Sequence, residues 1–294
     1  MPRRKSPSAV LFAGFNYTFL IGMALLCLAP LVHVLAVSFS ASSAVTAGRV
    51  TFWPVRFTLE SYRFVAEKPA FIHSVLISVE RAFIGTLVNM LLTILIAFPL
   101  SKESQAFSRR NFYTWIFVFS MLFSGGLIPW YMVIKGMGLL DSLWALILPG
   151  AVPVFNVILL LNFFRGLPKE LEESAFMDGA GYWRTLWRIY VPLSTPSLAT
   201  LTLFALVGHW NSWFDGIILM GTPDHYPLSS YLQTMVVQMD IKSMIGSDLA
   251  ALQQISDQTA KAAQIFLGAL PILLVYPFLQ RYFISGMTLG SVKE

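Results

Sequence analysis

The side chains best suited to chemistry lie together in one apolar stretch: His209, Trp210, Asn211, Trp213 and Asp215. On a continuous helix Asn211 and Asp215, four apart, would share one face, and His209 and Trp213 another. Aromatic faces beside hydrogen-bonding groups suit a sugar, which offers C–H surfaces and hydroxyls. Asn156, in a second apolar stretch, joins this set as a pathway residue, and Asn89 lies in a third. The competing role is to bond neighbouring helices together. That role is the stronger reading for Asn89 and Asn156, whereas a carboxylate in an apolar segment needs a functional reason, which assigns Asn211 and Asp215 to a pathway. Other chemistry is poorly provided for. No Cys, His and Asp cluster has metal-ligand spacing, and no Gly-x-x-x-x-Gly-Lys segment exists to cradle a phosphate. The single cysteine, Cys27, sits in an apolar run and is expected to be a buried bystander thiol.

These groups must be positioned by apolar helices. Of 294 residues 56% are hydrophobic and 12% charged, with mean hydropathy +0.68, against about 25% charged in a soluble domain. The apolar residues form long runs, and crossing a bilayer takes about 20 helical residues. Six spans are expected, near 15–38, 75–100, 112–134, 142–164, 193–220 and 262–283, within a single transmembrane domain over 1–294. The fold class is therefore an all-α polytopic membrane protein. Pro99, Gly125, Gly126, Pro129, Pro149, Pro153, Pro271 and Pro277 interrupt the spans, which membrane helices tolerate where neighbours or a wet cavity satisfy the backbone. Arg3, Arg4 and Lys5 precede a first apolar run too long for a cleaved signal. Glu80 and Arg81 near the outer end of the second span, with His33 and His73, are read as interfacial.

Net charge is +5, with the basic residues scattered between spans and no aromatic-interleaved stripe for nucleic acid. Placing both termini in the cytoplasm puts twelve Lys and Arg inside and seven outside, the bias the positive-inside rule favours. Two long outer segments result, near 39–74 and 221–261. The second is rich in Asp, Ser, Gln and Met (Asp240, Ser243, Met244, Asp248, Gln253, Asp257), which suits a functional connection or a solvated linker with a short helix lying on the membrane.

Between the fourth and fifth spans lies a polar interruption, 167–192. Pro168 suits a first helical turn, and Glu170, Glu172 and Glu173 complement a helix N-terminus. Ala175, Phe176 and Ala180 offer a small apolar docking surface, and Gly179 allows a sharp elbow. Beyond it, Tyr182, Trp183, Leu186, Trp187 and Ile189 form an apolar stripe with Arg184 and Arg188. An amphipathic helix resting on the inner leaflet accounts for that stripe equally. It does not account for Glu173, Ala175, Gly179, Ile189 and Pro192 occurring together at their spacings.

That spacing resembles the cytoplasmic coupling loop of ATP-binding-cassette importer permeases: Glu-Ala-Ala, three residues, Gly, nine residues, Ile-x-Leu-Pro. Ser174 replaces the second residue and Val191 the Leu. The segment from Phe123 to Pro129, Gly138 to Ser142, Trp210-Asn211 and the tail from Pro277 to Lys293 resemble the carbohydrate, maltose-type branch, in its oligosaccharide subgroup that includes alginate importers. The resemblance implies a type I importer permease fold with about six spans. It implies that Glu172, Glu173, Ser174, Ala175, Asp178, Gly179, Ala180, Ile189 and Pro192 couple to an ATPase, and that Gly286, Thr288, Gly290 and Lys293 of the tail touch it. It further implies a second permease, two ATPase subunits holding ATP and Mg, an extracytoplasmic solute-binding protein, a carbohydrate cargo, and no catalysis or cofactor on this chain. The site would lie in a bacterial inner membrane. The rival readings are an autonomous secondary transporter or channel, which expects coupling-ion sites or inverted repeats, and a membrane enzyme. For the enzyme, Glu172 and Glu173 are a poor dyad because they belong to the loop motif.

Overall fold

The computed structural model describes residues 7–234, 258–275 and 277. Among these the regular structure is helical apart from one isolated bridge between Ser40 and Phe57. The described residues divide into two compact units, one drawn from 7–69 and 258–270, the other from 70–234, 271–275 and 277.

In the first unit, α1 (Pro7–Ser38) is followed by the short α2 (Ser42–Thr46) and α3 (Glu60–Ala66). Ala36, Ala44 and Val50 form a small core there, and the Ser38 and Tyr62 hydroxyls bond at 2.8 Å. The best apolar window of α1 is only 6% buried. Phe12, Phe15, Leu20 and Leu26 stand exposed along it, as lipid contact requires.

The second unit is built around α4 (Pro69–Ser101), 33 residues without a break. It is longer at its start than the expected 75–100, because Pro69 occupies a first-turn position where no N–H is needed. Its buried positions Ser74, Ser78, Arg81, Gly85, Asn89 and Thr93 recur every three or four residues, while Leu76, Val79, Phe83, Leu87 and Leu91 are exposed. The polar stripe faces protein and the apolar stripe faces outward, the arrangement a lipid surround favours.

The helices that follow form three bent pairs. α5 (Arg110–Leu122) and α6 (Leu127–Gly136) meet at 115°, and α7 (Leu143–Ile147) runs through a 3₁₀ turn and then, at 48°, into α8 (Val154–Arg165). Gly126 at the first break has φ +86°, a left-handed geometry open to glycine. At the second, Pro149 and Pro153 lack the N–H that would continue the ladder. α9 (Lys169–Met177) and α10 (Tyr182–Thr185) lead through a π-helical turn, Leu186–Tyr190, into α11 (Val191–Leu193), and α12 (Thr195–Asn211) departs at 82°. The expected span 193–220 is interrupted: Ser212 is extended, and the short α13 (Phe214–Leu219) follows. α14 (Gln258–Val275), most of which belongs to the first unit, covers part of the sixth span, whose remainder beyond Pro277 lies outside the described residues. Three described helices are long and apolar enough to cross a membrane, six spans if each bent pair counts once.

The larger core of this unit lies at one end, where Ile94, Ala97 and Phe98 of α4 pack on Leu160, Leu161 and Phe164 of α8, with Leu186, Tyr190 and Leu201. Phe98, Phe164 and Tyr190 meet edge to face at centroid distances of 5.0–6.4 Å, a preferred aromatic geometry. A second cluster, Ile134, Ala145, Leu146, Leu219 and Met220, joins α6, α7 and α13.

Candidate functional site

Two groups of residues stand out, a cavity at the helix breaks and the loop that joins α8 to α12.

The cavity follows from how α4 treats its neighbours. Breaking a helix frees carbonyls that no water satisfies in a bilayer core, and α4 supplies the donors. Arg81 Nη1 donates to Ser212 O at 3.1 Å, at the break after α12, and Nη2 to Leu146 O at 3.5 Å, near the end of α7. Asn89, two turns on, donates to Gly150 O at 2.7 Å and Ala151 O at 3.1 Å. Arg81 is 2% exposed, a placement that a charge tolerates only when paired. Asp215 provides the pair, and its Oδ1 also accepts from Ser212 Oγ at 2.8 Å and Gly216 N at 3.0 Å. His209 Nε2 bonds Asn89 Oδ1. The imidazole fits there because Gly85 has no side chain, since a Cβ would lie 2.6 Å from the ring.

Around these groups opens a cavity of about 450 Å³, bounded by Arg81, Asn89, Trp130, Asn156, Phe204, His209, Ser212 and Asp215. A second hollow of about 750 Å³, reaching the Ser124–Gly126 break, shares Trp130, Pro149, Ser212 and Asp215 with it. Of the pathway residues read from sequence, His209, Asp215 and Asn156 line the cavity, whereas Trp210, Asn211 and Trp213 do not. Asn211 and Asp215 do not share a helical face, because α12 stops at Asn211 and the extended Ser212 re-aims the chain. Arg81, read as interfacial, is buried within the protein and lines the cavity. Trp130, Phe204 and Ser212 were missed. The signal for Arg81 was the three-to-four spacing of polar residues along α4 within an otherwise apolar run.

The loop is fixed by local chemistry. α9 begins after Pro168 with Glu170 and Glu172 in its first turn. It ends in a paired cap: Ala180 N donates to Ala175 O at 2.9 Å and Gly179 N to Phe176 O at 3.0 Å, with Gly179 at φ +75°. This is the Schellman arrangement, which favours glycine at that position. Glu173, Ser174, Asp178 and Gly179 are exposed, and Met177 is 88% exposed. Ala175, expected on the loop's small apolar surface, is instead buried. Glu172 turns inward, accepting from Lys102 Nζ at 2.8 Å and Tyr190 Oη at 2.5 Å. Burial and this carboxylate push the Tyr190 phenol up, which keeps it a donor. Ile189 packs against the α4–α8 core, while Pro192 is exposed. Of the apolar stripe, Trp183 and Trp187 meet edge to face at 5.9 Å on the outside and Leu186 is buried. Gly286, Thr288, Gly290 and Lys293, like Asp240 through Asp257, lie outside the described residues.

A family profile described as the binding-protein-dependent transport system inner membrane component matches residues 89–289. Protein LplC of Bacillus subtilis is 40% identical over 278 residues, covering 95% of this chain and 93% of LplC. The polygalacturonan/rhamnogalacturonan transport system permease protein YtcP of the same organism is 40% identical over 286 residues, 96% of this chain and 98% of YtcP. Among solved structures, a chain of a bacterial ABC transporter involved in the import of the acidic polysaccharide alginate superposes with a TM-score of 0.86 at 30% identity, over 96% of this chain and 100% of that one.

Proposed function

The chain belongs to the family of binding-protein-dependent transport system inner membrane components, and from that premise we propose what it carries and how it is driven. It is a multi-pass, non-catalytic permease subunit of an ATP-binding-cassette importer, which sets aside the secondary transporter and the membrane enzyme. Its cargo is an oligosaccharide cut from an acidic polysaccharide, the class named for YtcP and for the alginate transporter. The observation that carries this reading is the cavity. It sets the aromatic ring of Trp130 beside the amide of Asn156, the imidazole of His209 and a buried guanidinium.

The drive comes from outside the chain. A second, homologous permease and two ATPase subunits complete the importer, a solute-binding protein delivers the sugar, and both termini lie in the cytoplasm. The ATPase seats on the exposed edge of α9, at Glu173, Ser174, Met177, Asp178 and Gly179, with Gly179 as the elbow. Glu172, Ala175, Ala180, Ile189 and Pro192 belong to the same loop and hold its shape. The test is uptake by membrane vesicles carrying the whole importer, supplied with trigalacturonate, an alginate trisaccharide or maltotriose. Uptake of an acidic trimer is expected. Transport of maltotriose alone would overturn the acidic cargo and leave the permease assignment standing.

A further inference from the structure

The end of α4 is held by side chains from α5, α8 and α9. Arg165 of α8 donates to Leu100 O at 3.0 Å, and Arg110 of α5 donates to Lys102 O at 2.6 Å. These are carbonyls that a helix terminus leaves without partners, and cations suit its negative end. Lys169 of α9 pairs with Glu103 on the exposed side. Inside, Lys102 is 8% exposed and its Nζ lies 4.0 Å from the ring centre of Phe98 and 4.1 Å from that of Tyr190. Glu172 closes the group by accepting from both Lys102 and Tyr190. A desolvated ammonium held by a carboxylate and two ring faces is far more rigid than an exposed ion pair.

The same helix carries Arg81 and Asn89, which hold the breaks beside the cavity. Lys102 and Arg81 are separated by about 31 Å at 1.5 Å per helical residue. The turn at Pro99, where one backbone bond is missing, is the turn that these side chains fasten.

We propose that Lys102, Glu172 and Tyr190 are positioning residues that make the coupling loop and α4 one rigid body, so that movement of the loop reaches the cavity through α4. This rests on the coupling-loop reading. The loop and the cavity are joined by a rod whose handle is the Lys102–Glu172–Tyr190 group and whose fingers are Arg81 and Asn89.

The test measures the distance between nitroxide labels at Leu171→Cys on α9 and Phe83→Cys on α4, in the assembled importer with Cys27→Ser. It is read by pulsed electron resonance, without nucleotide and after trapping with ATP and vanadate. One narrow distance, the same in both states, is expected. With Glu172→Gln or Lys102→Met it broadens and shifts on trapping, with Tyr190→Phe it broadens less, and Lys102→Arg keeps it narrow. A shift on trapping in the unsubstituted importer overturns the proposal, as does a narrow, unshifted distance in both Glu172→Gln and Lys102→Met. If those two variants do not assemble, Tyr190→Phe decides alone: a distance identical to the parent's overturns it. The underlying docking reading fails separately, if Glu173→Arg still retains the ATPase on affinity purification.

Discussion

Arg81 answers a problem created by residues far from it in sequence. Two spans break near the cavity, and one guanidinium reaches carbonyls at both while Asp215 balances its charge. Removing one partner of a buried pair leaves the other charge stranded, at a cost of about 3–5 kcal/mol, whereas replacing both removes that charge term and leaves only neutral groups, the Ser212 and Leu146 carbonyls among them, without their partner. Asp215→Ala should therefore lower the thermal stability of the detergent-solubilised complex more than the double change Arg81→Met with Asp215→Leu, and fluorescence-detected size exclusion after heating would rank them. Gly85 makes a companion case. Gly85→Val places side-chain atoms where the His209 ring lies, an overpacking that costs about 1–3 kcal/mol. The same assay should show His209→Ala restoring stability to Gly85→Val, and an unrescued double variant would separate the two residues. At this scale the sequence was partly legible. His209 and Asp215 announced themselves as polar groups in an apolar run, and Asn89 as a bond between helices. Arg81 escaped because a cation near a span's end is ordinarily interfacial, and its partner lies 134 residues away.

Among elements, long uninterrupted apolar runs were readable, and Gly126 and Pro149 marked two of the bends without their size. Composition flags those breaks but does not set their 115° and 48°, and the 82° turn at Ser194 falls where the polar loop gives way to the fifth span. The break at Ser212 had still less signal, since neither Gly nor Pro marks it, and the shared face assigned to Asn211 and Asp215 failed there. The loop was the opposite case. Its glycine, its early carboxylates and its spacing each had a local cause, and Gly179 sits where a paired helix cap needs φ above zero. Gly179→Ala should cost about 1 kcal/mol in strain, and Gly179→Pro more, because the ring excludes that φ and removes the N–H donated to Phe176 O. Both variants should insert into the membrane normally. Sugar moved per ATP should fall in the order parent, Gly179→Ala, Gly179→Pro; equal ratios in all three would remove the elbow from the mechanism.

For the whole molecule, the division between a lipid-facing surface and a polar interior is drawn helix by helix. α4 shows it most plainly, with Phe83 and Leu87 outside and Arg81 and Asn89 within. A permease built this way holds no ATPase of its own, and its action is visible only in the assembly. Mild-detergent purification of tagged chain from native membranes should recover an ATPase and a second permease, and Glu173→Arg should lose the ATPase while keeping the permease. Mass spectrometry of the co-purified proteins checks both halves, and a chain recovered only with itself would sink the assembly. The fastening of α4 to its loop also bears on inheritance. Lys102 lies 70 residues before Glu172, outside the loop altogether. A loop transplanted from another permease would thus arrive without its anchor, and recombination between family members should yield working hybrids only where the tip of α4 travels with the graft.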